Sequence, residues 1–360
     1  MTRGEAVRGL AERWIGEMAV RPGTSFVCSP AGLWLALSAV AAGARGTTAD
    51  ELRAVLGAAG EEAAEAVTAA SRELTATDAL RVATRVWSRV PVRPEYEAAL
   101  ADVRFGPMDP SGADAWVREA TEGLIGRLPL RIDPSTLLVL VNVLALRARW
   151  EVPFERAGTE DLPFTAADGT SRPVPTMYGE PEPWETWTVG SVRVVELQCR
   201  AGEGGGAPAR VRLVLGEPGA GAAEVLPAAW APADRRTAAG AAHVSMTVPR
   251  FTLRTHIRVT GQLPALGIRE AVSMSADLSG ISQEPLTLSQ VVQEAVVKVA
   301  EEGVEAAAVT VAVTRGGAAP AAPPRRLHIA FDRPFGVVVL DNGGEVPLFT
   351  GWQAGIPEEE

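Results

Sequence analysis

From Leu137 onward the chain carries a series of segments whose residues are typical of β-strands. Some alternate apolar and polar residues and others are apolar throughout, which indicates a large sheet with some strands covered on both faces. The segments are LLVLVNVLAL from 137, VRVVELQ from 192, VRLVL from 211, HVSMTVPRFTLRT from 243, VVQEAVVKV from 291, HIAF from 328 and FGVVVL from 335. So many strands must be buried against a second layer of structure.

The first third of the chain has helical periodicity instead. Apolar residues recur every three or four positions at Val7, Leu10 and Trp14, and the apolar run Leu33 to Val40 predicts a buried helix. A further helix start is indicated from Thr47 to Glu51, where a hydroxyl is followed three residues later by an acid. We therefore expect helices over roughly the first 130 residues, and an α+β fold overall.

Charge excludes two classes of partner. The 360 residues include 34 Lys+Arg and 44 Asp+Glu, which gives a net charge of −10. Duplex nucleic acids and anionic membranes are bound by basic surfaces, so neither is an expected partner. The apolar run Leu137 to Val141 is broken by Asn142, well short of the roughly 20 residues that cross a bilayer. The charged, amphipathic N-terminus lacks the apolar stretch of a secretory signal, which predicts a cytoplasmic protein.

The sequence offers little support for enzyme chemistry. Its histidines are His243, His256 and His328, and none lies in a GxSxG or HExxH frame. A triad of His256, Asp277 and Ser279 can be assembled on paper, but such a trio is expected by chance in a chain of this length. Cys28 and Cys199 have neither a CxxC neighbour nor a nearby histidine, so both are expected to be reduced thiols. We expect no catalytic residue, no metal and no cofactor.

The most informative segment spans residues 296 to 331. It starts as a strand, passes an acidic pair and a glycine at Glu301 to Gly303, and continues through small residues into a proline-rich tract. One alternate set of its side chains is small enough to enter a packed sheet, namely Val304, Ala306, Ala308, Thr310, Ala312 and Thr314. Taken alone, the segment is explained equally well as a tethering linker or ordinary strand, or as a functional segment with strand propensity but no fixed partner.

Motifs in order along most of the chain give this segment a context. They are FVCSPAGLWLALSAVAAGARGTTADELRAVLG from 26, TLLVLVNVLALRARWEVPF from 136, VPRFTL from 248, LGI from 266, ADLSGI from 276, FDRPF from 331 and PLFTGWQAGIP from 347. Together they resemble the serpin family. The resemblance implies N-terminal helices packed on a large central β-sheet, with further sheets. It also implies a single domain over 1–360, with an exposed reactive-centre loop at about 301–326.

The resemblance implies a suicide inhibitor of serine-type endopeptidases. The protease attacks the loop as a substrate, an acyl-enzyme forms, and the cleaved loop inserts into the central sheet as a new strand. The hinge that begins this insertion corresponds to Glu301, Glu302, Gly303, Val304, Glu305, Ala306, Ala307 and Ala308. The family usually has Thr or Ser where this chain has Val304, and Val is similar in shape, so we expect insertion to be retained.

The family spacing, counted from Gly303, places the scissile bond between Gly317 and Ala318. Small residues at that bond favour an elastase-like or subtilisin-like target. Arg315, two residues earlier, would suit a trypsin-like protease instead. The stretch from Gly303 to Phe335 is longer than is usual in the family, so both registers stay open.

The family also has a polar cluster under the central sheet that lets the strands part. Ser29 and Asn142 match this cluster, Gln293 stands where a histidine is usual, and Trp150 lies near the point where the loop would enter. Glutamine can still form hydrogen bonds, but a pH response due to the histidine should be absent. The plainer interpretation is a helix cap for Ser29, a satisfied buried amide for Asn142 and a core side chain for Trp150.

Two other functions stay open. A non-inhibitory, binding or chaperone-like member of the family would keep the fold while its loop is cut only as a substrate. A hydrolase would need a nucleophile beside a base, which the motifs do not supply. Under the favoured hypothesis the partner is a serine or cysteine protease, held covalently by a monomer. The family resemblance also makes an extracellular location compatible with the sequence.

Overall fold

A computed structural model describes residues 1–20, 23–75, 80–109, 112–123, 126, 136–146, 148–200, 209–304 and 325–358. In these ranges the helices are α1 (Arg3–Met18), α2 (Pro30–Gly43), α3 (Gly46–Leu56), α4 (Glu61–Thr75), α5 (Pro94–Ala99), α6 (Ala113–Ala120) and α7 (Ala222–Val225). The strands are β1 (Phe26–Cys28), β2 (Leu80–Ser88), β3 (Val103–Pro107), β4 (Leu138–Leu146), β5 (Ala148–Arg149), β6 (Glu160–Thr165), β7 (Ser171–Gly179), β8 (Thr186–Val189), β9 (Val192–Gln198), β10 (Arg210–Leu215), β11 (Thr237–Ala238), β12 (His243–Pro249), β13 (Phe251–Arg258), β14 (Val292–Ala300), β15 (Gly303–Val304), β16 (Arg326–Ala330), β17 (Phe335–Leu340) and β18 (Pro347–Gln353).

The two helices expected near the N-terminus are confirmed. α1 begins with a capping box, in which the Thr2 hydroxyl accepts the N–H of Glu5 and the Glu5 carboxylate accepts the N–H of Thr2. α2 begins at Pro30 with Ser29 as its N-cap, and every residue of this helix is buried. It is apolar all round because helices α1, α3 and α4 and strands β4 and β18 all pack against it.

The expected cap of α3 is wrong, although the helix itself is present. α3 begins one residue earlier than expected, at Gly46, and its N-cap residue, Arg45, makes no side-chain cap hydrogen bond. The hydroxyl of Thr48 instead accepts the N–H of Asp277 at 2.9 Å. The Glu51 carboxylate accepts the backbone N–H of Glu270 at 2.8 Å. Both side chains that suggested a local cap therefore hold a distant segment.

The expectation that helices account for roughly the first 130 residues holds only in part, because strands lie there as well. β2 and β3 lie in that region, and β2 pairs along its length with β4 in an antiparallel ladder from Leu80 opposite Leu146 to Ser88 opposite Leu138. The alternation in LRVATRVWS is the period of a strand. A strand surrounded by helices in the sequence finds its partner more than fifty residues later, so local reading missed it.

Among the described residues, the strands form four sheets. Their orders are β1-β18-β17-β10-β9-β8-β11, β16-β12-β7-β6, β13-β14-β15-β5 and β3-β2-β4. The last two adjoin, because only residue 147 separates β4 from β5, and Cα atoms of β14 and β4 lie within 8 Å of each other. They form the two halves of one layer, and β15 lies at the junction.

The main hydrophobic core lies between the N-terminal helices and the sheets, and it contains a cluster of aromatic side chains. Phe335 contacts Phe164, Phe251 and Phe331 edge to face, with ring centroids 5.3–6.3 Å apart. Across the described residues, none of the helices combines the length and apolar content that a membrane crossing requires. The fold is the α+β arrangement expected from the sequence.

Candidate functional site: the hinge turn and the strands beside it

The hinge turn, defined here as residues 300–304, connects β14 to the two-residue strand β15. In β15, Val304 pairs with Val299 of β14 on one side and with Ala148 of β5 on the other, both antiparallel. β5 and β14 therefore run parallel to each other, with β15 between them. The Val304 side chain is 2% exposed. The first residues of the segment predicted to insert already occupy a strand position in the layer.

Gly303 is required by the closeness of β5. A Cβ atom at this position would lie 2.1 Å from the carbonyl oxygen of Ala148 and 2.7 Å from the Cα of Arg149. Both neighbours are backbone atoms of a paired strand, so neither can move aside as a flexible side chain would. A residue without a side chain allows the chain to enter at this point.

Glu301 fixes the turn by burying its carboxylate among donors. The side chain of this residue is buried, and its Oε1 atom accepts hydrogen bonds from the Thr159 hydroxyl at 2.7 Å and from Arg250 Nε at 2.7 Å. Burial favours the neutral acid, but the hydrogen bonds from Arg250 and Thr159 outweigh it and lower the pKa of Glu301. The turn therefore carries an ionised, hydrogen-bonded carboxylate near neutral pH.

Trp150, immediately after β5, holds the backbone of the same turn. Its backbone N–H donates to the carbonyl of Glu302 at 2.9 Å, and its indole Nε1–H donates to the carbonyl of Ala300 at 2.9 Å. The N–H of Phe154 donates to the carbonyl of Glu301 at 2.8 Å. The Trp150 and Phe154 rings pack edge to face, with centroids 6.4 Å apart. Three successive carbonyls of the turn thus have donors from one segment.

A second ion pair lies on the outer side of the turn. Arg156 donates to the Glu302 carboxylate at 2.8 Å, and its side chain is 63% exposed. The Glu302 side chain is 12% exposed, but its partner Arg156 lies largely in solvent, so this single contact contributes less to stability than the two donors that bind the buried Glu301 carboxylate. Glu301 and Glu302 are therefore expected to contribute differently to stability, although they are adjacent acidic residues in the sequence.

Ser29 and Gln293 form a buried connection between α2 and β14. The Gln293 amide accepts the backbone N–H of Ser29 at 2.7 Å and donates to the Ser29 carbonyl at 2.9 Å. The Ser29 hydroxyl donates to the carbonyl of Leu348 at 2.6 Å and accepts the N–H of Gly32 at 3.1 Å. Ser29 is thus a helix cap, as the plainer interpretation held, and it also links the helix to two strands.

The remaining predicted site residues fall into two groups. Asn142 lies in β4 opposite Thr84, and its side chain is outside the described part of the structure. The residues outside the described ranges altogether are Glu305, Ala306, Ala307, Ala308, Arg315, Gly317 and Ala318. Their roles, and those of Ser29, Gln293 and Trp150 in strand parting, stay predictions.

The structure does not bring His256, Asp277 and Ser279 together as a catalytic triad. His256 faces Glu294, with 4.0 Å between Nδ1 and Oε2, whereas Asp277 accepts the N–H of Ser279 within a turn that is bonded to α3 through Thr48. The two cysteines are free and buried, and burial raises the pKa of each thiol to about 12. Neither thiol is therefore ionised near neutral pH.

Sequence reasoning missed Arg250, Thr159 and Arg156. Arg250 is the only charged residue within VPRFTL, a motif that was recognised for its apolar residues. It lies between β12 and β13 and reaches a carboxylate 51 residues later in the chain. The signal that the sequence offered was a lone arginine within an otherwise apolar motif, together with the acidic pair Glu301 and Glu302.

Comparisons with known proteins place the chain in a family. A family model described as Serpin (serine protease inhibitor) matches residues 7–354. Serpin-Z2A of Oryza sativa subsp. japonica is 30% identical over 95% of this chain and 94% of its own. Iris of Ixodes ricinus is 29% identical over 90% of both chains. The chain belongs to the serpin family, as the motifs indicated.

Solved structures show the same fold. Serpin48, described as a highly specific serpin of the insect Tenebrio molitor, has a TM-score of 0.80 and 25% identity over 98% of both chains. Human thyroxine-binding globulin has a TM-score of 0.81 and 21% identity over 99% of both chains. The predicted fold is confirmed. The fold is therefore shared with a protein described as a serpin and with a protein named for binding a small molecule.

Proposed function

We propose that this chain is a suicide inhibitor of serine-type endopeptidases, acting by insertion of its cleaved reactive loop between β14 on one side and β5 with β4 on the other. The observation that supports this most directly is β15, which pairs with β14 and β5 before any cleavage. Because both residues of β5 already pair with β15, the inserted strand would continue along β4 on that side and along β14 on the other. The chain has no catalytic cycle of its own in this proposal, because it is consumed by one turnover of its target.

The covalent step is supplied by the protease. Its serine oxygen attacks the carbonyl carbon of the scissile residue, an ester bond forms, and the amide C–N bond breaks. The departing amine takes the proton that the protease histidine removed from the serine. We propose Gly317 as the acylated residue, with Arg315 as the alternative. The loop N-terminal to the cut stays attached to the protease, and the remainder is released from it.

Insertion supplies the force that traps the ester. Residues 304–317, extended at about 3.3 Å each, reach about 46 Å. A dozen new ladder hydrogen bonds, each contributing roughly 0.5–1.5 kcal/mol, give on the order of 10 kcal/mol. That is comparable with the roughly 5–15 kcal/mol that stabilises a folded protease domain. A distorted protease loses the alignment of its triad and oxyanion hole, so deacylation fails.

Incubation with subtilisin, elastase and trypsin tests the proposal. An adduct that survives SDS and boiling, and that is lost with a protease whose catalytic serine is replaced by alanine, supports inhibition. Clean cleavage without an adduct contradicts it and favours the non-inhibitory alternative.

Sequencing the new N-terminus distinguishes a cut after Gly317 from one after Arg315. A cysteine protease should form a less durable thioester adduct by the same insertion. The assignment of a monomeric, cytoplasmic inhibitor stays a prediction.

A further inference from the structure

We propose that Arg85 of β2 and Arg104 of β3 form a binding site for a phosphate group, carried either by inorganic phosphate or by a phosphate monoester. The site, called here the arginine pair, lies on the sheet β3-β2-β4, in which β3 is the edge strand among the described residues. The proposal is independent of the proposed function, because it involves neither the hinge turn nor a protease.

The arginine pair is created by the register of two parallel strands. Arg85 and Arg104 are direct partners in the ladder between β2 and β3. Partners in a ladder project from the same face of a sheet, and neighbouring strands lie about 4.8 Å apart. Like charges held opposite each other in this way destabilise a sheet. The register therefore places an excess of positive charge at one point of a chain whose net charge is −10.

The Arg85 guanidinium is positioned by stacking. Its Cζ atom lies 5.2 Å from the centroid of the Trp87 ring, which is 1% exposed and packs edge to face against Trp116. Gly106 of β3 leaves room for the same group, because a Cβ there would lie 3.4 Å from Arg85 Nη2. A guanidinium that stacks through its face keeps its N–H groups for acceptors in its own plane.

One of these donors is buried without an acceptor. The Nε atom of Arg85 has no hydrogen-bond partner among the described residues. A buried donor in this state costs free energy, and a charged one costs more than a neutral one. An anion that reaches the edge of this guanidinium would supply both an acceptor and a compensating charge.

Within the described ranges, no carboxylate neutralises the arginine pair. Neither arginine forms an ion pair or a side-chain hydrogen bond with these residues. Asp102, two positions before Arg104, contacts Arg72, with 3.5 Å between Asp102 Oδ2 and Arg72 Nε. On its other side Arg85 has Val141 of β4 as its ladder partner, and that residue is buried and apolar. A ligand can supply the negative charge that these neighbours do not.

The chemistry of the arginine pair favours phosphate. Each guanidinium presents a planar fork of N–H donors that matches phosphate oxygens, and two guanidiniums balance the two charges of one phosphate. A carboxylate carries a single charge and would balance only one of them. The next positions on this face of the two strands, Ala83, Trp87 and Gly106, are uncharged, so the pair fits one phosphate group better than a long polyanion. Arg104 is exposed, which gives a ligand access from the edge of the sheet.

Titration of the full chain with inorganic phosphate tests the proposal, at an ionic strength kept constant with NaCl. Phosphorus NMR measures the dissociation constant, and the melting temperature should rise with phosphate, because a ligand of the folded state stabilises it. We expect Arg104→Gln to raise the dissociation constant about tenfold, since a charge-assisted hydrogen bond is lost. Without phosphate, Arg104→Gln should melt at or above the temperature of the parent, because the like charge opposite Arg85 is gone.

Two further variants make the test specific. Arg53→Gln is the matched control, because it removes an arginine whose side chain is 47% exposed and paired with Asp50, and it should bind phosphate as the parent does. Arg85→Lys keeps the charge but loses the planar fork, so it should bind phosphate more weakly than the parent.

Phenyl phosphate, titrated in the same way, distinguishes the two sources of the phosphate group. Binding equal to that of inorganic phosphate assigns the site to monoesters, and binding of inorganic phosphate alone assigns it to the free ion. Equal dissociation constants for the parent and Arg104→Gln would overturn the proposal, as would a parent that phosphate stabilises no more than NaCl does. None of these measurements uses a protease, so their failure would leave the proposed inhibitory function standing.

Discussion

A Cβ atom on Gly303 would lie 2.1 Å from the carbonyl oxygen of Ala148, so the hinge and β5 are in direct backbone contact. The contact leaves no room for a side chain at residue 303. From this point the cleaved loop is proposed to extend between β4 and β14.

Replacement of Gly303 by alanine should displace β15 from β5. The added methyl group meets backbone atoms that cannot rotate away, so we expect the intact chain to lose roughly 1–3 kcal/mol of stability. Urea denaturation of the intact protein measures this loss. Gly261→Ala is the matched control, because nothing lies within 4 Å of a Cβ at that position. Equal losses for the two variants would show that the contact at Gly303 is not confining.

Glu301→Gln should destabilise the hinge turn in a pH-dependent manner. The folded-state pKa of Glu301 is held below its ordinary value of 4.5, so the ionised carboxylate adds stability that is complete above that pH. This stability is lost as the pH falls through the folded-state pKa. The melting temperature of the variant should therefore lie below that of the parent at pH 7, and the gap should narrow below about pH 4.5.

The neighbouring glutamate supplies the control for that experiment. Glu302 is paired with Arg156, whose side chain is 63% exposed, so Glu302→Gln should change stability by less than about 1 kcal/mol. A gap between parent and Glu301→Gln that stays constant from pH 7 to pH 3 would show that the carboxylate charge does not stabilise the turn.

Gln293→Ala should loosen the connection between α2 and β14. It leaves the buried N–H of Ser29 without its acceptor, whereas the Ser29 carbonyl keeps the N–H of Leu33 at 3.0 Å, and we expect a loss of roughly 1–3 kcal/mol. Gln290→Ala is a suitable control, because Gln290 Oε1 has no hydrogen-bond partner among the described residues.

Gln293→His should introduce a dependence of thermal stability on pH between about 5 and 8, which the parent lacks at this position. Identical pH profiles would contradict this account.

How far the sequence predicts this structure depends on the sequence separation of the contacts. Buried helix α2 and the strands after Leu137 follow from local periodicity, and both were predictable. The cap of α3 and strand β2 were not, because their partners lie far along the chain. The motifs predicted a hinge at residues 301–308, but the pairing of Val304 in the intact chain and the Arg250 contact to Glu301 depend on three-dimensional proximity. A pattern of spacing does not contain that information.

Val304→Arg should convert the inhibitor into a substrate. The side chain at this position is 2% exposed between two paired strands, so a guanidinium there would have to be buried without a counter-ion or would keep the hinge out of the layer. Cleavage by the target should continue while the SDS-stable adduct disappears. Val304→Thr retains the shape and should still trap protease. Ala308→Arg should act as Val304→Arg does. If either arginine variant traps protease as well as the parent, loop insertion is not the mechanism.

Thermal unfolding of the chain before and after a single cut in the loop tests the central claim most directly. If the severed loop becomes a strand between β4 and β14, on the order of 10 kcal/mol of added stability should raise the melting temperature by about 10–20 °C. Cleaved Val304→Arg should show little of this increase. A cleaved parent that melts at or below the temperature of the intact chain would contradict the account.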